Sequence, residues 1–208
     1  MPDQDHARIY LATPSSLVLE TFKPQLEQVL DGTPVACLRI CASSEDASEL
    51  GRICDQIREI CHGYDLAVVI DRHFRMVEKH GLDGVHLLDG AKQVREARKL
   101  LGPDAIVGAY CEASKHSGIT AAEIGVDYIS FGPVGDLGEL GAGERATPGL
   151  FRWWSEMIEV PVVAEGGLDA ATLETIRDDV DFVTFGSEIW LADQPAAEAR
   201  KLLALLKG

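Results

Sequence analysis

The chain has 208 residues, 46% of them hydrophobic and 25% charged, which is enough for one large buried core in a single domain spanning 1–208. Its 34 acidic against 19 basic side chains leave a formal charge of −15, which excludes a general nucleic-acid binder and docking on an anionic membrane surface. At face value the same charge counts against an anionic small-molecule substrate.

The first seven residues carry acids and no apolar run, so no signal peptide is expected. No stretch reaches the ~18 apolar residues of a membrane helix. The five cysteines, Cys37, Cys41, Cys54, Cys61 and Cys111, lack the spacing of a zinc site. They are expected as reduced thiols in a cytoplasmic protein.

In chain order, a strand over 8–12 precedes a helix over 17–30 that starts behind Ser15. A strand over 35–40 leads to a helix over 45–61 capped by Ser43 or Ser44. There Leu50, Ile53, Cys54, Ile57, Ile60 and Cys61 recur at helical spacing. Strands over 66–70 and 84–87 follow, then a helix over 92–101, a strand over 105–110, a helix over 115–124 and a strand over 128–132. The glycine-rich segment 135–149 reads either as a mobile lid or as a surface loop without chemistry. Trp153 and Trp154 lie in a helix-like stretch expected to pack on the sheet. Strand 160–164, helix 170–176 behind Asp169, strand 182–186 and helix 196–206 complete the chain. Most of these strands are near-continuously apolar, which implies burial on both faces and a parallel sheet. The fold class is α/β, and eight β-then-α units predict a single (β/α)8 TIM barrel. The rival is an open doubly wound sheet, but AlaThrProSerSer (12–16) after the first strand lacks its glycine fingerprint.

A barrel carries its chemistry at the C-terminal ends of the strands. Gly166–Gly167 after strand 7 and Gly186–Ser187 after strand 8 offer bare backbone N–H groups there. Such a cradle can hold a phosphate without a lysine or arginine. The acidic balance therefore does not exclude a phosphorylated small-molecule substrate. Arg39, on an apolar strand, either pairs with a carboxylate or grips an anion. Asp71 is a candidate ligand for magnesium (Mg2+) or an ion-pair partner of Arg39 or Arg72. His86 reads as a core histidine or as a catalyst; Glu112, Glu165 and His86 are the acid–base candidates. Cys37, Cys41 and Cys111 are placed to converge in the lumen, as small hydrophobes. Ordinary turns at the two glycine pairs are the alternative to a cradle.

AspGlyValHisLeu (83–87), PheGlyProVal (131–134), ProValValAlaGluGlyGly (161–167) and AspArg (71–72) resemble the thiamine-phosphate synthases and the related TenI-like thiazole tautomerases. The likeness runs from about Arg39 to Ser187. It implies a barrel that joins hydroxymethylpyrimidine diphosphate to a thiazole phosphate, releasing diphosphate, with magnesium. By the resemblance, Arg39 binds diphosphate, Asp71 binds the metal with Asp89 as a substitute second ligand, and Gly167 with Gly186–Ser187 holds the thiazole phosphate. Gly132, after strand 6, and Gly166, after strand 7, are further candidates for binding the substrate phosphate, and the assembly is compatible with a homo-oligomer.

The chain also departs from that family. Its second strand carries Cys37 and Cys41 where the family has glutamine and lysine around the arginine. Ile70 replaces an asparagine, and Ala91 falls where a second metal carboxylate is expected. The lid offers Asp136, Glu139, Glu144 and Arg145 instead of Thr-x-Thr-Lys. Cys111 and Glu112 stand near the tautomerases' catalytic histidine, with His116 a few residues late. The monophosphate cradle is thus expected to be kept and the diphosphate end eroded. The alternative functions are action on another phosphorylated heterocycle and a non-catalytic, ligand-binding or regulatory role.

Overall fold

A computed structural model describes residues 6–44, 46–135 and 144–208. Most of the lid segment, including Asp136 and Glu139, lies outside the described residues. The strands are β1 (Arg8–Ala12), β2 (Val35–Ile40), β3 (Ala67–Asp71), β4 (Gly84–Leu87), β5 (Ile106–Tyr110), β6 (Tyr128–Phe131), β7 (Val162–Ala164) and β8 (Phe182–Phe185). Each pairs in parallel with the next, and β8 pairs with β1, so the sheet closes into a barrel. The open-sheet alternative is thereby excluded.

The helices are α1 (Leu19–Gly32), α2 (Ala47–Gly63), α3 (Phe74–His80), α4 (Val94–Leu101), α5 (Lys115–Ile124), α6 (Pro148–Met157), α7 (Ala170–Ile176), α8 (Ser187–Trp190) and α9 (Pro195–Lys207). Among the described residues none is long and apolar enough to cross a membrane. Asp169 caps α7 as expected, its carboxylate accepting from the Thr172 N–H at 2.8 Å. The other two expected caps are corrected. Helix α1 begins after Val18 without a side-chain cap, three residues beyond Ser15. Helix α2 is capped by Asp46, which accepts from the Ser48 N–H at 2.8 Å, while Ser44 Oγ accepts from the Asp46 N–H.

The strand period of two sorts side chains into two cores. Ile9, Leu11, Leu38, Ile40, Val68, Ile70, Val85 and Val107 belong to the large layer between sheet and helices. Trp154 is fully buried in that layer, edge-on to Phe131 with ring centroids 5.1 Å apart. Tyr10, Cys37, Val69, Tyr128 and Val163 form the separate cluster inside the barrel. Tyr128 needs room to cross the lumen: a Cβ on Gly108 would lie 2.0 Å from its ring. Cys111, by contrast, sits in the outer layer, so the three cysteines do not converge.

At the N-terminal rim one device recurs. The carboxylate of Asp83, just before β4, accepts from the Val68 N–H of β3 at 2.7 Å. Asp127, before β6, accepts from Val107 of β5 at 2.7 Å, and Asp181, before β8, accepts from Val162 of β7 at 2.8 Å. Each satisfies an N–H where its strand begins.

Candidate active site

At the opposite end, β2, β3 and β7 bring three charges together. Arg39 Nη1 donates to Glu165 Oε2 at 2.7 Å, and Arg39 Nε lies 3.4 Å from Asp71 Oδ1. The side chains are 11%, 13% and 16% exposed for Arg39, Glu165 and Asp71. The second contact is one of charge only, because Asp71 Oδ1 has no hydrogen-bond partner. Burial alone would lower the Arg39 pKa, but Glu165, Cys41 and Asp71 outweigh it and hold the guanidinium charged. Burial raises the Asp71 carboxyl above its ordinary value, against the pull of Arg39. Arg39 also stands 5.9 Å over the Tyr10 ring. Cys41 Sγ lies 3.3 Å from Arg39 Nε, which donates to it. Burial pushes the Cys37 and Cys41 thiols up to about 12, so neither is a nucleophile at neutral pH.

The lumen is polar further along. His86 Nδ1 lies 2.9 Å from the Tyr128 hydroxyl, which lies 2.6 Å from the Tyr10 hydroxyl. Burial, followed by the charge of Arg39, lowers the His86 pKa well below its ordinary value, so the imidazole is neutral. Burial likewise holds both phenols protonated. His86 is therefore half-satisfied: its Nε2 has no partner, and neither do Ser130 Oγ and Thr184 Oγ1.

The rim holds the remaining candidates. Asp89 Oδ2 accepts from Gln93 Nε2 at 2.8 Å, while its buried Oδ1 has no partner. Glu112 takes a left-handed backbone (φ 54°) and its carbonyl accepts from the Gly132 N–H at 3.1 Å. Its side chain is exposed, outside the Arg39 cluster. Gly166 and Gly167 have φ of 89° and 70°, which glycine adopts without strain. The Gly166 carbonyl accepts from the Val134 and Gly135 N–H groups, both at 2.9 Å, stitching the loops after β6 and β7. The Gly186 N–H already has an internal acceptor, Glu188 Oε2, at 3.0 Å.

A family model described as thiamine monophosphate synthase matches residues 9–189. The chain belongs to this family. The thiamine-phosphate synthase of Rhodospirillum centenum is 33% identical over 193 residues, covering 92% of each chain. That of Hyphomonas neptunium is 32% identical over 213 residues, covering 97% of this chain and 94% of its own. Among solved structures, a thiamine phosphate pyrophosphorylase from Pyrococcus furiosus superposes with a TM-score of 0.83 over 96% of this chain and 95% of its own, at 20% identity. At that identity the likeness bears on the fold alone.

Within the thiamine monophosphate synthase family frame, the structure joins Arg39 to Asp71 and leaves the exposed Glu112 outside that pair. It adds participants that sequence reasoning passed over: Tyr10, Tyr128, Ser130 and Thr184 in the lumen, and Glu188 on the Gly186 N–H. For Ser130 the signal was the strand period, since it stands two positions from Tyr128 on β6 and so shares its face. Glu165 was a candidate acid–base group; its bond to Arg39 spans 126 positions of sequence.

Proposed function

We propose that the protein couples hydroxymethylpyrimidine diphosphate to a thiazole phosphate and releases diphosphate. The observation that carries this reading is the meeting of Arg39 and Asp71 at the mouth of the barrel, in a chain of the thiamine monophosphate synthase family. The C–O bond of the pyrimidine diphosphate breaks and its electron pair leaves with the diphosphate. The thiazole nitrogen lone pair then closes on the pyrimidine methylene cation. Arg39 offsets the charge that grows on the departing oxygen, in a partly desolvated site where such contacts are strong. The neutral His86 and the protonated phenols of Tyr10 and Tyr128 line the lumen without adding a positive charge that would oppose the cation.

Two carboxylates suit a magnesium ion that takes its other ligands from substrate phosphates and water. Asp71 and Asp89 each keep a buried, unpartnered oxygen for such an ion. Among the described residues no group of three or more ligand-type side chains forms a protein-only cage. Held there, magnesium would supply charge neutralisation on the diphosphate. The backbone of Gly167 and of Gly186–Ser187 is assigned to the thiazole phosphate. The same reading puts the enzyme in the cytoplasm, consistent with five unpaired cysteines.

The test is incubation with both substrates and magnesium. Formation of thiamine phosphate is expected, and no product at high enzyme concentration overturns the assignment. The Arg39–Glu165 pair favours a second reading, an enzyme for a phosphate monoester only. That reading requires monoesters to stabilise the protein against heat while diphosphates do not.

A further inference from the structure

The Arg39 cluster is acidic: one guanidinium faces two carboxylates, Glu165 and Asp71. The stronger contact is the one to Glu165, a hydrogen-bonded ion pair at 2.7 Å against an unbonded 3.4 Å for Asp71. With 11% and 13% exposure, the pair is shielded from most solvent screening without being fully enclosed. A carboxylate on Nη1 occupies the position an incoming phosphate oxygen would take, since both anions use the same donor fork.

From this geometry we infer that Glu165 is a specificity-determining residue, an internal anion that competes with diphosphate for Arg39. Binding then requires an exchange, in which Glu165 Oε2 leaves Nη1 and a phosphate oxygen replaces it. The exchange is confined to the side chain. The Glu165 N–H donates to the Phe131 carbonyl at 3.1 Å and its carbonyl accepts from the Val134 N–H at 3.2 Å, so its backbone is held. The displaced carboxylate stays near Asp71 and the arriving phosphates, and its repulsion weakens the bound state. Glu165 thus sets a threshold that an anion crosses only where it holds Arg39 more strongly than the carboxylate does. The inference rests on the proposed function for the identity of the anion.

The experiment is calorimetric titration of the whole protein with inorganic diphosphate in magnesium buffer. Glu165→Gln keeps the shape and removes the charge. It is expected to tighten diphosphate binding by about tenfold or more, the scale of one charge-assisted contact. In an Arg39→Gln background the same substitution should change affinity by no more than about twofold. Unchanged or weaker binding by Glu165→Gln overturns the inference. So does an equal gain without Arg39, which would make Glu165 a source of general repulsion. If thermal melting shows that Glu165→Gln does not fold, Glu165→Asp, one methylene shorter, is read in its place, with tighter binding expected and unchanged or weaker binding overturning the inference. Because inorganic diphosphate requires no turnover, the two failures separate. Tighter binding without thiamine phosphate removes the proposed reaction only, and product without tighter binding removes the role of Glu165 only.

Discussion

His86 Nδ1 and the Tyr128 hydroxyl lie 2.9 Å apart inside the barrel, with the two rings stacked at an interplanar angle of 14°. This contact satisfies one ring nitrogen of a fully buried, neutral imidazole and leaves the other without a partner. Its consequence is a dependence of stability on pH. The folded pKa of His86 is depressed, so below about pH 6.5 the unfolded chain binds a proton that the native chain does not. Stability should therefore fall with decreasing pH in that range, by up to about 1.4 kcal/mol per unit for this one group. Urea denaturation of wild type and His86→Asn between pH 7 and pH 5 measures it. The difference between the two should shrink or change sign as pH falls, and a constant difference would remove His86 as the cause.

Removing the Tyr128 hydroxyl tests the same network from its centre. Tyr128→Phe leaves the ring stack but strips a partner from both His86 and Tyr10. An unsatisfied buried polar group costs about 1–3 kcal/mol, and a loss of that order is expected in chemical denaturation.

Arg39 also bears on stability, through its contacts with Glu165 and Asp71. Arg39→Ala leaves Glu165 and Asp71 facing each other without a counter-charge. Breaking a buried pair in this way costs roughly 3–5 kcal/mol. In urea denaturation, adding Glu165→Ala should return part of that loss, while neither the single nor the double variant carries the guanidinium proposed to hold the diphosphate.

Magnesium dependence tests the two carboxylates, Asp71 and Asp89, that each keep one unpartnered oxygen. Asp71→Asn and Asp89→Asn should each raise the magnesium concentration that gives half-maximal activity by about tenfold or more, as expected when one of two protein ligands loses its charge. A magnesium titration unchanged in both variants would move the metal elsewhere.

Glu188 tests the assignment of the phosphate cradle. Its carboxylate holds the Gly186 N–H, so Glu188→Ala frees a donor at the proposed thiazole-phosphate position. A thermal-shift titration with thiazole phosphate should show several-fold tighter binding, of the order of one neutral hydrogen bond. No gain would place the phosphate away from Gly186.

The barrel was legible because its strands are short, apolar runs separated by amphipathic helices, and that pattern survives without knowledge of any contact. The starts of α1 and α2 were less legible. Ser15 and Ser16 precede α1, and Ser43, Ser44 and Asp46 precede α2, where Asp46 rather than either serine has the geometry to cap the helix. The site was visible residue by residue but not as an assembly. Arg39 announced itself as a charge on an apolar strand, whereas its partner Glu165 is set by the closure of eight strands. Tyr10 and Tyr128 were hidden for the opposite reason, since aromatic residues on buried strands read as packing until their hydroxyls are found touching.

The aspartates before β4, β6 and β8 carry a consequence for how the chain can be cut. Each ties an even strand to the odd strand before it, so β3–β4, β5–β6 and β7–β8 are sequence-local pairs held by their own side chains. Helix α9 also packs on β1, so the last described element lies against the first. A circular permutant with new termini in the exposed turn at Pro103–Asp104, between α4 and β5, keeps every one of these pairs continuous. Termini placed at Gly81–Leu82 would instead separate Asp83 from Val68 along the chain. The first rearranged protein should fold and keep its ligand affinity, and the second should be the less stable of the two.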